Sequence, residues 1–344
     1  MFRYIILALL LIHALIHLMG FVKKDQVSRG RRFFWLISSL LFFSALFVRH
    51  WWWPASLAIL CSQWLIIQQW KEAKWGTIIN IIILFFAWAS FGFYHFESRF
   101  RLDTRALSSP DRSSTAPLLT ENRIAHLPPP VQRYIRYSGA INKPIPTVLY
   151  IAFEGRMRGK DRDWFPFRSE QYNRLDTPAR YFFMKARMFN MMVPGYHAYH
   201  DGKAAMDIRL FGWISVVNKT GPELDQGETV TWLNDLCLFA PGALANPMIN
   251  WEEIDSLHAR AIVHTDKIKV SAVLAFNSAG QLVNFFSNDR YETNDNKFYP
   301  FSTPVKDYKA MKGYMINTYG EAVWHYPEGP FVYGQFHLKD LELK

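Results

Sequence analysis

The segment VPGYHAYHDGK concentrates three side chains of metal-binding type, His197, His200 and Asp201. Residues three apart on an extended strand point to opposite faces, so the two histidines can share one ion only across a turn. Pro194 and Gly195 permit such a turn. We nevertheless favour a polar hairpin rim here, and the sequence predicts neither a metal nor another cofactor.

Carboxylates form a second candidate site, with Glu252 and Asp255 on one segment and Glu228 on the segment before it. Two carboxylates can act as general acid and base. Glu228 equally suits the first turn of a helix, where the helix dipole favours negative charge, and Arg260 is a ready ion-pair partner. We favour the structural interpretation and assign no catalytic residue.

Two histidines lie within the first apolar segment, where polar groups are costly. His13 and His17 share a helix face because they are four residues apart. They could bind haem or a metal, or relay protons. We prefer a second interpretation, in which they form hydrogen bonds with Asn80 and other polar residues on neighbouring helices.

Large apolar side chains in and around the predicted strands form the last candidate site. Methionine suits surfaces that accept variable apolar ligands, although an ordinary sheet core explains the same residues. The candidate ligand-binding residues are Phe165, Phe167, Phe182, Met184, Met188, Trp232 and Trp251.

Charge and motifs exclude several classes of protein. Residues 1–105 carry a net charge of +8 and the remaining residues +2, so the positive excess flanks the apolar segments instead of forming a patch on the β-rich part. We therefore predict no nucleic-acid partner. The sequence contains no Walker loop, Rossmann glycine run, G-x-S-x-G or H-E-x-x-H motif.

Four uncharged stretches predict about four transmembrane helices in residues 1–98: Tyr4–Val22, Phe33–Val48, Trp51–Trp70 and Trp75–Phe96. The second stretch is short for a span. Seven Lys and Arg residues, including Lys23 and Lys24, lie in the loops on one side, against five on the other. The positive-inside rule then places the amino terminus and the large C-terminal domain outside an inner (plasma) membrane, on its periplasmic or extracellular side.

Residues 99–120 are rich in serine and proline and predict a tether that lets the following domain stand off the membrane. Residues 121–344 then alternate apolar and polar types with period two, separated by turn signals such as Asp201-Gly202. Exceptions are a short amphipathic helix, VQRYIRYSG, and a helical segment, ELDQGETVTWLNDLCLFAPGAL. The predicted fold class is a membrane α-helical bundle followed by a mostly antiparallel β (α+β, half-barrel-like) soluble domain.

Several long strings resemble an uncharacterised bacterial membrane-protein family whose domain has no known function. They include DQGETVTWLNDLCLFAPGAL, INWEEIDSLHARA, YGEAVWHYPEGPFVYGQFHLKDLEL and, in the first hundred residues, IHALIHLMGFVK. More distantly, the closing strands resemble the half-barrel of periplasmic lipoprotein carriers. That second resemblance implies a curved sheet over helices with an apolar cavity.

Three functions follow as hypotheses. The favoured one is a non-enzymatic protein of the cell envelope. It would contact the membrane lipid and bind a lipid or another hydrophobic small molecule. The second is a membrane redox or hydrolytic enzyme that uses His13 and His17, or Glu228 and Glu252. The third is an anchored sensory module that recruits a protein partner.

Overall fold

A computed structural model describes residues 2–22, 28–108, 116–188, 191–265 and 267–344. The chain forms two compact units. The first contains Met1–Phe96 with Phe211–Ile214, and the second contains Glu97–Leu210 with Ser215–Lys344. Each unit has its own buried core.

The helices that build the first unit are α1 (Phe2–Val22), α2 (Arg29–Ala45), α3 (Trp52–Gln68), α4 (Trp70–Ala73) and α5 (Gly76–Asp103), the last of which continues into the second unit. Their core alternates small and large side chains, including Ala14, Ala55 and Ala58 beside Phe42. Small residues let helix backbones approach closely, which favours packing where neighbouring helices share an apolar environment.

The prediction of four membrane-spanning helices is not confirmed. Among the described helices, α1 over Tyr4–Val22 and α5 over its full length are long and apolar enough to cross a membrane. Helix α2 has 17 residues and contains Arg29, Arg31 and Arg32 in its first turn, so its apolar part is shorter than a bilayer core requires. Helix α3 also has only 17 residues. Lys23 and Lys24, used for the predicted orientation, lie outside the described residues.

The predicted tether differs from the structure at both of its ends. Residues 99–103 are the last turns of α5, where the Phe100 ring stacks on Phe183 at 5.5 Å, and α6 (Arg105–Ser108) follows. Leu119 is fully buried near the other end, and its N–H donates to the Lys143 carbonyl at 2.8 Å. Residues 109–115 lie outside the described residues. The serine and proline content of this segment gave no indication that the apolar side chains Phe100 and Leu119 near its two ends are buried.

Two short helices precede the sheet, α7 (Glu121–Ile124) and α8 (Pro129–Tyr137). Helix α8 is the predicted amphipathic helix. Its residues Val131, Tyr134 and Ile135 are fully buried, and Gly139 follows its end with φ = 70°, a left-handed conformation that glycine adopts without strain. The prediction is confirmed.

The second unit is a mostly antiparallel β domain with helices, as predicted. Its strands are β1 (Val148–Met157), β2 (Phe165–Arg174), β3 (Ala179–Met188), β4 (Met191–His200), β5 (Lys203–Leu210), β6 (Ile214–Thr220), β7 (Ile249–Asp255), β8 (His258–His264), β9 (Lys269–Phe276), β10 (Leu282–Ser287), β11 (Tyr291–Glu292), β12 (Lys297–Phe298), β13 (Phe301–Met311), β14 (Tyr314–Tyr326) and β15 (Gly329–Leu343). The tight turn predicted at Asp201-Gly202 joins β4 to β5, with both residues at positive φ.

Thirteen of these strands form one sheet in the order β6-β5-β4-β3-β2-β1-β15-β14-β13-β10-β9-β8-β7, and β11 pairs with β12. Strand β1 pairs with β15, so the first and last strands of the domain join its two halves. The two edge strands, β6 and β7, are consecutive in the chain. Helix α9 (Pro222–Phe239) and a short 3-10 turn connect them across the sheet.

Helix α9 is the predicted helix that ends before Pro241. Most of its residues are buried, with Trp232, Leu233 and Leu236 fully so. A helix buried on nearly all sides lacks a single apolar stripe, which agrees with the mixed sequence of this segment. The core of the β domain therefore lies between α9 and one face of the sheet.

Candidate functional site

A cavity of about 1280 Å³ lies within the β domain, between α9 and the sheet. Much of its wall is aromatic or aliphatic. The apolar wall residues are Phe153, Met157, Phe165, Phe182, Met184, Met188, Met206, Ile208, Leu238, Phe239, Phe336 and Leu338. The volume exceeds the roughly 300–1000 Å³ of sites for drug-sized ligands.

Strands far apart in the sheet order contribute to this one cavity. Val217 on β6 and Phe301 on β13 both line it, and seven strands separate β6 from β13 in the sheet. A flat sheet would place those two strands about 38 Å apart, from the usual spacing of neighbouring strands. The sheet must therefore curve around the cavity.

A buried charge network lies in the cavity wall. The Arg180 guanidinium donates from Nε to Asp235 Oδ2 at 2.8 Å and from Nη1 to Glu228 Oε2 at 2.9 Å. Gln171 and Asn173 donate to the same Asp235 oxygen, at 2.6 and 3.1 Å. Side chains of Arg180, Glu228 and Asp235 are each less than 10% exposed. Buried charges are tolerated when they are paired and hydrogen-bonded in this way.

His197 extends the network, because its Nδ1 lies 3.2 Å from Glu228 Oε1. Burial alone would raise the pKa of the Glu228 carboxyl group. The positive charge of Arg180 and the hydrogen bond from His197 overcome that effect and lower the pKa to about 2. Glu228 is therefore a stable carboxylate at neutral pH and is poorly suited to act as a general acid.

Two further arginines of the cavity lie against aromatic rings. The Arg290 guanidinium carbon is 3.8 Å from the Phe301 ring centroid and 5.1 Å from that of Trp324. Arg158 lies 4.8 Å from the Phe331 ring and donates from Nε to the Val332 carbonyl at 2.9 Å. Stacked guanidinium groups keep in-plane N–H donors available for other partners.

The predicted site residues divide into two sets. Those that line the cavity are Phe165, Phe182, Met184, Met188, His197 and Glu228. Phe167 and Trp232 are buried core residues outside the cavity lining. The indole N–H of Trp232 donates to the Arg174 carbonyl at 2.6 Å, and that of Trp251 donates to the Leu244 carbonyl at 3.1 Å. The two tryptophans therefore contribute to packing, Trp232 from α9 and Trp251 from β7.

The remaining predicted polar residues do not join Glu228. Exposed His200 Nδ1 lies 2.9 Å from Asp201 Oδ2 at the β4–β5 turn. Glu252 accepts from Arg260 at 3.0 Å, and Asp255 lies 2.9 Å from His258. These three pairs are local surface pairs. Glu228 and Glu252 therefore belong to separate ion pairs, Glu228 with Arg180 and Glu252 with Arg260.

The polar residues of the first unit form a network between helices. His13 Nε2 lies 3.0 Å from Asn80 Oδ1 and 3.3 Å from Ser62 Oγ. His17 donates from Nδ1 to the His13 carbonyl at 2.8 Å. This arrangement is the one expected if the histidines connect α1 with α3 and α5. In the described part of the chain, no three His, Cys, Asp or Glu side chains are grouped to hold a metal ion.

Sequence reasoning missed Arg180, Asp235 and Arg290. A usable signal was present for the first two. Arg180 takes the same strand face as Phe182 and Met184, and Asp235 interrupts an apolar helical run. Charges on an otherwise buried face are uncommon unless they are paired. Arg290 offered no such signal, because its aromatic neighbours come from distant strands.

Residues 117–336 match the model of a family of unknown function, DUF6544. This match confirms the resemblance to a family whose domain has no known function. No curated protein matches the chain.

Solved structures that are similar to the chain include three bacterial proteins. A LolA superfamily protein from Nitrosomonas europaea shares 11% identity at a TM-score of 0.36, over 62% of this chain and 93% of that one. A proposed outer membrane lipoprotein-sorting protein domain from Vibrio parahaemolyticus shares 10% sequence identity at a TM-score of 0.33. The match covers 57% of this chain and 85% of that one. A β-barrel-like DUF1849 protein from Brucella abortus shares 10% sequence identity at a TM-score of 0.22. The match covers 58% of this chain and 98% of that one. These likenesses carry no argument about function.

Proposed function

The chain belongs to the DUF6544 family, and we propose that its β domain binds a lipid or another hydrophobic molecule in the cavity between α9 and the sheet. The observation that carries the proposal is a cavity of about 1280 Å³ with a largely aromatic and aliphatic wall. Burial of apolar surface contributes roughly 25 cal/mol per Å², so such a wall favours an apolar occupant. The long antiparallel sheet with α9 connecting its two edge strands supports a half-barrel-like fold as part of this proposal.

Four methionines support an adaptable binding wall. Met157, Met184, Met188 and Met206 all line the cavity, and they come from three different strands, β1, β3 and β5. Methionine side chains are unbranched and polarisable, and they adjust to ligands of different shape. We therefore expect the cavity to accept a range of chain lengths.

A charge placed in the wall should strongly weaken binding of an apolar ligand. In Met206→Glu, a carboxylate enters the apolar wall from β5, and its desolvation should lower the affinity for an apolar ligand about tenfold or more. The probe is a diazirine-bearing fatty alcohol, which is neutral. The full-length protein is held in phosphatidylcholine nanodiscs and irradiated with the probe, and labelled peptides are identified by mass spectrometry.

The matched control is Met192→Glu, the same change on the neighbouring strand β4 at a side chain that is exposed and outside the cavity lining. We expect cavity peptides to be labelled in the wild type and in Met192→Glu, and to lose labelling in Met206→Glu. Labelling confined to the apolar helices α1 and α5 in all three proteins would refute a ligand-binding cavity.

We further propose that the protein is a multi-pass protein of the inner (plasma) membrane with the β domain on the outer side. The apolar helices α1 and α5 and the excess of positive charge in the loops of the first unit support this arrangement. Helices α2 and α3 would complete the bundle as short spans, extended by snorkelling of arginines such as Arg32.

The topology can be tested at the C-terminus. Alkaline phosphatase fused after Lys344 is active only outside the cytoplasm, whereas green fluorescent protein fused there fluoresces only inside it. We expect an active phosphatase fusion and a dark fluorescent-protein fusion. The reverse pair of results would place the β domain in the cytoplasm and contradict the proposed orientation.

A further inference from the structure

Two half-buried arginines that line the cavity form no ion pair with a carboxylate of the described residues. Within the described residues, no Asp or Glu oxygen lies within 4 Å of the charged nitrogens of Arg290 or Arg158, although both side chains are half-buried. Each instead stacks on aromatic rings. A guanidinium group is always charged and presents N–H donors that match a carboxylate or phosphate in geometry.

The two buried carboxylates of the charge network, Asp235 and Glu228, already have hydrogen-bond partners other than these arginines. Asp235 accepts from Arg180, Gln171 and Asn173, and Glu228 accepts from Arg180 and lies beside His197. Arg180 is therefore neutralised by carboxylates within the protein, whereas Arg290 is beyond ion-pair distance of Glu228, although its positive charge helps to lower the Glu228 pKa. Arg290 therefore places a positive charge with no ion-pair partner among the described residues in the same cavity as the side chains of Met184 and Met188.

The rings around Arg290 also fix its position. Phe301, Trp324 and Tyr333 come from β13, β14 and β15, and the Trp324 and Tyr333 rings stack with centroids 5.8 Å apart. Holding a guanidinium group in place before binding reduces the entropy lost when a ligand arrives. A cation packed among fixed aromatic rings is better suited to hold a ligand anion than a flexible surface arginine is.

We infer that the ligand is an amphiphile with an anionic head group, a carboxylate or phosphate, that Arg290 binds while the apolar chain occupies the methionine-rich wall. The inference rests on the proposed ligand-binding function and specifies its substrate class. A fatty acid and a phosphate-bearing lipid share this head-group chemistry.

Competition against the neutral photoprobe tests the inference on the full-length protein in phosphatidylcholine nanodiscs. The competitors share one chain length: dodecanoate, dodecyl phosphate, dodecan-1-ol and dodecylamine. We expect the two anions to halve cavity labelling at concentrations at least about tenfold below that of the alcohol, the gain of a charge-assisted hydrogen bond. The amine should be the weakest. A larger effect of dodecanoate or of dodecyl phosphate identifies the preferred head group.

Variants of Arg290 show where the preference arises. Arg290→Gln should bring the anions to within about threefold of the alcohol, and Arg290→Lys should retain part of the preference. The control is Arg168→Gln, which removes an exposed arginine paired with Glu154 at 2.8 Å outside the cavity. It should leave all competitors unchanged. Because the probe is neutral, its labelling of Arg290→Gln reports that the cavity is intact.

The two proposals fail in different ways. If the probe does not label the cavity in the wild type, the ligand-binding function fails. If the probe labels the cavity but acid and alcohol compete equally, or the amine competes best, the anionic head group is wrong while the ligand-binding function stands. If anions compete better but Arg290→Gln keeps the full preference, Arg290 is not the residue that recognises them.

Discussion

Replacing Arg180 with methionine should lower the free energy of unfolding of the β domain by about 3–5 kcal/mol, because the change leaves two buried carboxylates without their counter-ion. Asp235 and Glu228 are both less than 10% exposed and both bind Arg180 within 3 Å. Methionine fills much of the same space, so the loss measures charge and not volume. Urea denaturation of the full-length protein, followed by tryptophan fluorescence, provides the measurement.

The pH dependence of this loss separates charge from packing. The pKa of Glu228 is lowered to about 2 in the folded protein, so its charged form stabilises the fold fully above its ordinary pKa, and that contribution is lost as the pH falls through about 2. Without Arg180, less positive charge opposes the effect of burial, so the pKa of Glu228 in the folded protein rises. Protonation then stabilises the folded variant, so the difference between wild type and Arg180→Met should shrink from pH 7 to pH 4.

Arg168→Met is the matched control for this experiment. Arg168 forms an ion pair with Glu154, but its side chain is 77% exposed, and exposed pairs contribute about 0–1 kcal/mol. An equal loss in both variants, or a loss at Arg180 that does not change between pH 7 and pH 4, would show that the buried network does not act through its charges.

Local signals in the sequence were sufficient for much of the β domain. Period-two alternation and turn residues predicted strands such as β1, β9 and β15, because side-chain direction and turn conformation depend on a few neighbouring residues. The alternation is weaker in strand β13. It contains Pro304 and a run of charged residues, which conceal the alternation, because proline is unusual inside a strand.

The site could be predicted only in part, because it depends on pairing between distant segments. Phe182 and Met184 were found from their type and position. Arg180 meets Asp235 across 55 residues only because α9 crosses from edge strand β6 to edge strand β7. The pairing of β1 with β15 likewise brings Phe331 to the cavity. Neither connection leaves a pattern in a single sequence, since each depends on the order in which strands from the whole domain pair.

Replacing Trp232 with alanine should lower the free energy of unfolding by about 3–5 kcal/mol, the usual cost of removing a large buried aromatic side chain. Trp232 is fully buried, and its indole N–H donates to the Arg174 carbonyl at 2.6 Å. The loss is measured by urea denaturation of the full-length protein. Should the alanine variant not fold, Trp232→Phe keeps most of the volume and removes the hydrogen bond, which should cost about 1–3 kcal/mol.

The effect on binding distinguishes this residue from Phe182, another aromatic predicted to bind ligand. Phe182 lines the cavity, whereas Trp232 does not. We therefore expect Phe182→Ala to weaken competition by dodecanoate several-fold with a smaller loss of stability, and Trp232→Phe to leave that competition unchanged while the fold is intact. A Trp232 variant that folds normally but loses dodecanoate competition would mean that the ligand reaches past the cavity wall into the core beside α9.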